Sequence, residues 1–207
     1  RAERPLMRLQ LDLGPEAALG SGSAGPDAIL SPDGLRLVYL SRGADGRPRL
    51  STRRLDELQA TVLAGTEGAA SPFFSPDGQG VAFAAGGKLK KIPISGGAPV
   101  SLCDAPRFGG GWWGDDGDIV ATLDFRAGLA RLPSSGGTPR PLTKGGVWPQ
   151  VLPGGKAVLF TAGTSVLSGM GSRLENPAIE VVSLSSGQRR TLLRDGVFGR
   201  YLPSGHL

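Results

Sequence analysis

Few residues of this chain have the chemistry that catalysis needs. Its 207 residues include one histidine, His206, and one cysteine, Cys103. A Ser-His-Asp triad or a histidine-rich zinc site needs a histidine held within a folded site, whereas His206 is the second-last residue. Cys103 ends an apolar stretch, where a small buried side chain is more expected than a nucleophile. The sequence therefore predicts no enzyme activity in this chain, and any such activity would lie in a domain outside it.

Two short motifs resemble nucleotide-binding signatures. Residues 20–25 match Gly-x-Gly-x-x-Gly, but Pro26 and an extended segment follow where a phosphate-binding fold would have a helix. Residues 124–125 share only two letters with the kinase Asp-Phe-Gly motif, and the other kinase motifs are absent as a set. We therefore interpret residues 20–25 as a leader and predict no cofactor.

One dense group of carboxylates could attract a hard cation such as Ca²⁺, which prefers several oxygen ligands from a turn. The group consists of Asp115, Asp116 and Asp118. These residues occupy the slot that a repeated turn fills elsewhere in the chain, so the sequence favours a turn variant with solvated acids. A cation site here is the alternative, and no metal is predicted.

Charge and composition exclude several classes of protein. Lys and Arg number 23 against 18 Asp and Glu, a net charge of +5, but the basic residues are spread along the chain. This distribution indicates a solvated surface rather than a nucleic-acid interface. No apolar run of about 18 residues is present, so a membrane link would need a segment upstream of this chain. The start without Met is expected of a piece of a longer polypeptide or of a processed product. A single cysteine cannot form an internal disulfide, so an apolar core must hold the fold.

A repeat organises the chain. Residues 29–39 return at 73–83 with the same Ser-Pro-Asp-Gly turn, and weaker copies follow at 112–120, 150–158 and 201–205. Their closing glycines are Gly34, Gly78, Gly117, Gly155 and Gly205, which by subtraction lie 44, 39, 38 and 50 residues apart. Periods of about 40 to 50 residues are typical of four-stranded propeller blades.

Within each period, short apolar runs alternate with Gly and Pro, and no stretch keeps helical spacing. In the second period the pattern predicts strands at 71–74, 79–85, 88–94 and 98–103. We therefore predict an all-β propeller with four complete four-stranded antiparallel blades and a partial fifth. The predicted units are a leader at 1–25 and blades at 26–66, 67–106, 107–145, 146–197 and 198–207. Residues 7–13 alternate like an edge strand that could close the ring.

The Ser-Pro-Asp-Gly turns are predicted to be structural. Ser can accept hydrogen bonds from backbone amides, Pro sets φ, and Gly takes the positive φ that leads into the next strand. The residues concerned are Ser31, Pro32, Asp33 and Gly34 in the first copy, and Ser75, Pro76, Asp77 and Gly78 in the second.

Phe73–Phe83 above all resembles the WD40-like (PD40) repeat of TolB-type β-propellers. Residues 81–89, 92–99 and 110–114 are most similar to the propellers attached C-terminally to bacterial serine/threonine protein kinases. The resemblance covers about residues 26 to 207 and implies a sensing or scaffolding domain that lies outside the cytoplasm. Rings of this family usually have more blades, so we expect an incomplete ring here, which self-association of two copies could complete.

Antiparallel order places the Ser-Pro-Asp-Gly turns on one rim of the propeller. The loops between second and third strands and between blades form the other, which we call the varied rim. Loops on a rigid scaffold commonly bind partners, so this rim is the predicted site for a protein or peptide. Its candidate residues are Asp45, Arg47, Asp104, Arg107, Phe108, Asp124, Arg126, Trp148, Arg173 and Glu175. The alternatives are an accessory propeller of a prolyl-oligopeptidase-like hydrolase, or a propeller that binds a small ligand or cation in its channel.

Overall fold

The computed structural model describes residues 10–20, 25–168, 171–202 and 204–207, without the side chains of 164–168 and 171–173. All regular elements in this part of the chain are strands. They form four antiparallel four-stranded sheets, each in chain order, which are the blades of the predicted propeller.

The strands of each blade run from the innermost to the outermost. Blade 1 contains β1 (Ala28–Leu30), β2 (Arg36–Arg42), β3 (Pro48–Arg54) and β4 (Thr61–Val62). Blade 2 contains β5 (Ala70–Phe74), β6 (Gly80–Ala85), β7 (Lys88–Pro93) and β8 (Val100–Asp104). Blade 3 contains β9 (Gly111–Trp113), β10 (Asp118–Asp124), β11 (Gly128–Pro133) and β12 (Arg140–Pro141). Blade 4 contains β13 (Val147–Val151), β14 (Ala157–Ser168), β15 (Gly171–Ser183) and β16 (Arg189–Arg194). The strands predicted for the second period agree with β5 to β8 within two residues.

The blades pack face to face in chain order, because side chains alternate between the two faces of each strand. In β6, Val81 and Phe83 belong to the apolar cluster between blades 1 and 2, while Ala82 belongs to the cluster between blades 2 and 3. A third cluster, which includes Leu129 and Phe160, joins blades 3 and 4. The core is therefore three layers between neighbouring blades, and the inner strands β1, β5, β9 and β13 contact one another in that order.

Hydrogen bonds explain why the Ser-Pro-Asp-Gly turn recurs. In blade 2, Gly80 N donates to Ser75 Oγ (2.8 Å), and Ser75 Oγ donates to Asp77 Oδ1 (2.5 Å). Asp77 Oδ1 also accepts from Gln79 N at 2.9 Å. These bonds favour the ionised carboxylate and lower the pKa of Asp77. Blade 1 repeats the arrangement with Ser31 and Asp33.

A partial fifth copy follows blade 4. The side chain of Gln150 in β13 bonds the backbone of Tyr201, accepting from its N–H at 2.8 Å and donating to its carbonyl at 3.0 Å. Phe198 N donates to Thr161 Oγ1 in β14 at 3.0 Å. Residues 197–201 therefore lie against blade 4, although no strand forms there.

Two segments differ from the simplest sequence interpretation. Residues 162–177 extend the hairpin of β14 and β15, which is longer than the corresponding hairpins of the other blades, with pairs from Thr164↔Glu175 to Ser168↔Gly171. Of the proposed closing strand at 7–13, residues 7–9 lie outside the described residues, and residues 10–13 form no strand. The carbonyl of Asp12 accepts from Arg53 Nη1 of blade 1 at 2.8 Å, so the described half of this segment lies near the first blade.

Candidate functional site

Segments 70–74, 109–113, 147–151 and 197–201 correspond to one another in blades 2, 3 and 4 and in the partial fifth copy. The second residue of each segment has a left-handed backbone. The φ angle is 51° at Ser71, 99° at Gly110, 54° at Trp148 and 56° at Phe198. In blades 2 and 4 the same position coincides with a shift of register between the first two strands, which is a β-bulge. Non-glycine residues in this conformation cost on the order of 1–3 kcal/mol and cluster at binding sites.

These four residues all line one cavity of about 480 Å³, which we call the inner cavity. It is bordered by residues of the four inner strands or of the loops beside them, and by Phe198 and Arg200 of the partial fifth copy. Its volume lies within the range of about 300–1,000 Å³ that is typical of ligand sites.

Aromatic side chains dominate the wall of the inner cavity. All three tryptophans of the chain, Trp112, Trp113 and Trp148, line it. The Trp148 and Phe198 rings meet edge to face with their centroids 5.6 Å apart. Trp113 also packs against the cluster between blades 2 and 3, whereas Trp112 also lines a neighbouring pocket beside Gln150 and Leu202. Phe73, Phe74 and four prolines complete most of the remaining wall.

Arg200 is the cation of this cavity. Its Nη1 donates to the carbonyls of Trp148 (2.9 Å) and Gly199 (3.3 Å), and its guanidinium carbon lies 4.3 Å from the centroid of the Phe198 ring. Burial lowers the pKa of Arg200 to about 10, so it stays charged near neutral pH. Within the described part of the chain, no carboxylate lies within 4.0 Å of its guanidinium nitrogens.

The residues predicted on the varied rim are mostly paired with each other or packed. Arg107 binds Asp124 through both Nε and Nη2, and Arg126 N donates to the same carboxylate at 2.9 Å. This pairing lowers the pKa of Asp124 and raises that of Arg107. Asp104 forms an ion pair of 2.7 Å with Lys88, and Asp45 lies 3.8 Å from the exposed Arg47.

Phe108 stacks on Phe73 with centroids 6.3 Å apart and packs against the core between blades 2 and 3, so it is not a free contact residue. Trp148 lies in β13 and lines the inner cavity. Glu175 is exposed, and the side chain of Arg173 lies outside the described residues. The candidates therefore do not form one cluster.

The acidic group of blade 3 has a structural partner. Arg131 donates from Nε to Asp118 at 2.7 Å and from Nη2 to Asp116 at 2.9 Å, and Asp118 N donates to Asp116 Oδ1 at 3.1 Å. Asp115 is exposed beside the inner cavity. In the part of the chain that the structure describes, no three His, Cys, Asp or Glu residues are arranged to hold a metal ion.

Neither Cys103 nor His206 lies in an environment that would activate it for catalysis. Burial raises the pKa of the Cys103 thiol, which opposes formation of a thiolate. His206 is exposed, with Nδ1 3.0 Å from Ser204 Oγ. Nowhere in the described ranges is there a helix that could cross a bilayer.

Sequence comparison finds no matching family model and no matching curated protein. Structure comparison finds a putative TolB from Agrobacterium tumefaciens, with a TM-score of 0.68 and 16% identity. The chain has a β-propeller fold like that of TolB. TolB from Acinetobacter baumannii is also similar, with a TM-score of 0.61 and 17% identity, as is a nidogen/laminin complex structure with a TM-score of 0.56 and 17% identity.

The chain spans only part of the proteins that it resembles. The matches cover 81%, 82% and 78% of the chain, but 64% of the Agrobacterium protein, 44% of the Acinetobacter protein and 62% of the nidogen/laminin chain. At these identities the similarity establishes the fold.

Sequence reasoning missed Arg200 and Phe198 as members of the site. An available signal was the alignment of Val147–Val151 with residues 197–201, two five-residue segments that each begin with Val and an aromatic residue. The left-handed backbone at their second position was not visible, because Trp and Phe are not residues that normally indicate positive φ.

Proposed function

We propose that this TolB-like propeller is a non-catalytic module that binds a protein or peptide in the inner cavity. The observation that carries this proposal is the convergence of all three tryptophans on one cavity whose wall includes Ser71, Trp148 and Phe198 in strained conformations. Aromatic side chains are favoured as anchors in interfaces. Strained backbone of this kind clusters at binding sites, which also supports a binding site here.

The absence of catalysis is part of the proposal. Cys103 is poorly suited to form a thiolate and His206 is exposed near the end of the sequence, so the chemistry of both supports a binding role. The charged pairs of the varied rim are engaged with each other, which makes that rim a secondary surface. One of the similar structures is a nidogen/laminin complex, and this fits a protein partner.

We also propose, from the resemblance of the second and third repeats, that the propeller is a sensing domain of a bacterial kinase-linked protein outside the cytoplasm. Two copies completing one ring is a further proposal, based on the four blades and partial fifth. Sedimentation equilibrium tests the proposal that two copies complete one ring. A dimer is expected, and a strictly monomeric folded chain would refute that proposal.

Random-peptide display on the folded chain tests the binding role. The selected peptides are measured by isothermal titration against wild type, Trp148→Ala as the cavity variant and Arg126→Gln as the rim variant. Binding should weaken about tenfold or more in Trp148→Ala, since hot-spot aromatic residues contribute about 2 kcal/mol or more, and stay unchanged in Arg126→Gln. The reverse pattern would move the site to the varied rim, and failure to select any peptide would contradict the proposal.

A further inference from the structure

The inner cavity holds a charge that the described protein does not neutralise. An arginine has five N–H donors in a planar fork, and only Nη1 of Arg200 has hydrogen-bond partners among the described residues. In the described part of the chain, the buried side-chain nitrogens without a partner are Nε of Arg49 and Nε of Arg53. Nε and Nη2 of Arg200 have no partner there either, but they are not fully buried. The Nε–Nη2 edge of Arg200 is therefore accessible and free, and such an edge fits a carboxylate in bidentate geometry.

The surroundings hold this guanidinium in place. Two backbone carbonyls fix Nη1, and the ring of Phe198 lies beside the guanidinium plane. Trp148, which supplies one of these carbonyls, also contacts Phe198 edge to face. A charged group that is already desolvated and oriented loses little freedom on binding, so the cation is preorganised for an anion.

Exposed apolar side chains border the inner cavity and the pocket beside it. Leu30 is 57% exposed, Leu202 52% and Phe198 42%, and each borders the inner cavity or the neighbouring pocket. Exposed apolar surface around a fixed polar group is the arrangement expected of a binding site. The wall offers few donors for a free inorganic anion, but it offers aromatic and proline surface to an extended peptide.

We propose that the inner cavity takes a peptide segment that presents a carboxylate to the Nε–Nη2 edge of Arg200 and packs neighbouring apolar side chains against Trp148, Phe198 and Leu30. This inference rests on the proposed binding function and adds the chemistry of the occupant. Asp115 also borders this cavity, and its charge opposes a ligand carboxylate placed beside it.

The probe is N-acetyl-Leu-Pro-Phe, prepared as the free acid and as the C-terminal amide. Because every tryptophan of the chain lines the cavity, intrinsic emission reports binding there directly. The acid should bind wild type about tenfold or more tightly than the amide, since a hydrogen bond to a charged group contributes about 1.5–3 kcal/mol. In Arg200→Gln, the acid should bind no better than the amide, whereas Arg200→Lys should keep part of the difference. Arg190→Gln, at an exposed arginine of β16, is the matched control and should behave like wild type.

Each alternative result has a distinct meaning. Equal binding of acid and amide to wild type, or a preference for the acid that persists in Arg200→Gln, overturns the carboxylate assignment while leaving the binding function intact. N-acetyl-phenylalanine binding as tightly as the tripeptide acid overturns the peptide assignment in favour of a small carboxylate. Display-selected peptides that bind without changing the tryptophan emission would overturn both the inner cavity as the site and this inference. Thermal unfolding of each variant separates loss of the site from loss of the fold.

Discussion

Thr66 in the loop between blades 1 and 2 provides a quantitative test of how the blades are held together. Its side chain is fully buried. Oγ1 accepts from Leu50 N at 2.9 Å and donates to the carbonyl of Leu63 at 2.6 Å. This hydroxyl therefore joins the third strand of blade 1 to the loop that leads into blade 2. Thr143 repeats the role for blade 3, accepting from Leu129 N at 3.2 Å.

Thr66→Val keeps the shape of the side chain but removes the hydroxyl. The buried N–H of Leu50 and the buried carbonyl of Leu63 then lose this hydrogen-bond partner. Each unsatisfied group costs about 1–3 kcal/mol, so we expect a loss of about 3 kcal/mol in the free energy of unfolding. For a domain of this length, about 2–4 °C accompanies each kcal/mol, and the melting temperature should fall by about 6–12 °C. The assay is urea and thermal unfolding followed by circular dichroism.

Thr66→Ser is the matched control, because it keeps the hydroxyl and removes one methyl group, which costs about 1 kcal/mol. Valine should therefore be more destabilising than serine. If serine proves the more damaging substitution, or if valine matches wild type, the hydroxyl does not join blade to loop and the reasoning is wrong.

Three further predictions concern the turns, a close backbone approach and the acidic group. Hydrogen bonds from Ser75 and from Arg107 lower the pKa values of Asp77 and Asp124 in the folded state. Their contribution to stability is therefore present above the unfolded pKa of about 3.9 and is lost as the pH falls below it. A urea midpoint that does not decline between pH 5 and 3 would contradict this. Gly128→Ala should destabilise the fold by at least about 3 kcal/mol, because φ is 110° and a Cβ would lie 2.5 Å from Gly145 N and from the carbonyl oxygen of Thr143. The control Gly46→Ala, with φ of 73° and open space around the Cβ, should cost about 1–2 kcal/mol. Equal losses in the two variants would show that the close approach at Gly128 is unimportant. Millimolar calcium should leave the melting temperature unchanged, because Arg131 pairs with Asp116 and Asp118, and a rise that Asp118→Asn abolishes would refute this.

The sequence predicted the fold well because its signals are local turn chemistry repeated in phase. A Ser-Pro-Asp-Gly segment specifies its own hydrogen bonds, as Ser75 and Asp77 show, and needs no distant partner. The predicted strands of blade 2 followed directly from the positions of such turns. Fold prediction succeeded to this extent because each blade is a local unit.

The candidate site was predicted less well because it depends on contacts between repeats. Arg107 and Asp124 were each identified as loop residues, but only the fold pairs them across the start of blade 3. Arg200 is ordinary in sequence, and its role depends on Phe198, Trp148 and the carbonyls around it. The bulges that place Trp148 on the cavity wall follow no turn motif, so alternation alone could not reveal them.

The most direct test of the central claim, a binding site at the inner cavity, is a crystal structure of the chain with a display-selected peptide. Peptide density is expected between Trp148, Phe198 and Leu30. Density on the varied rim or along the edge of β16, with the inner cavity empty, would contradict it.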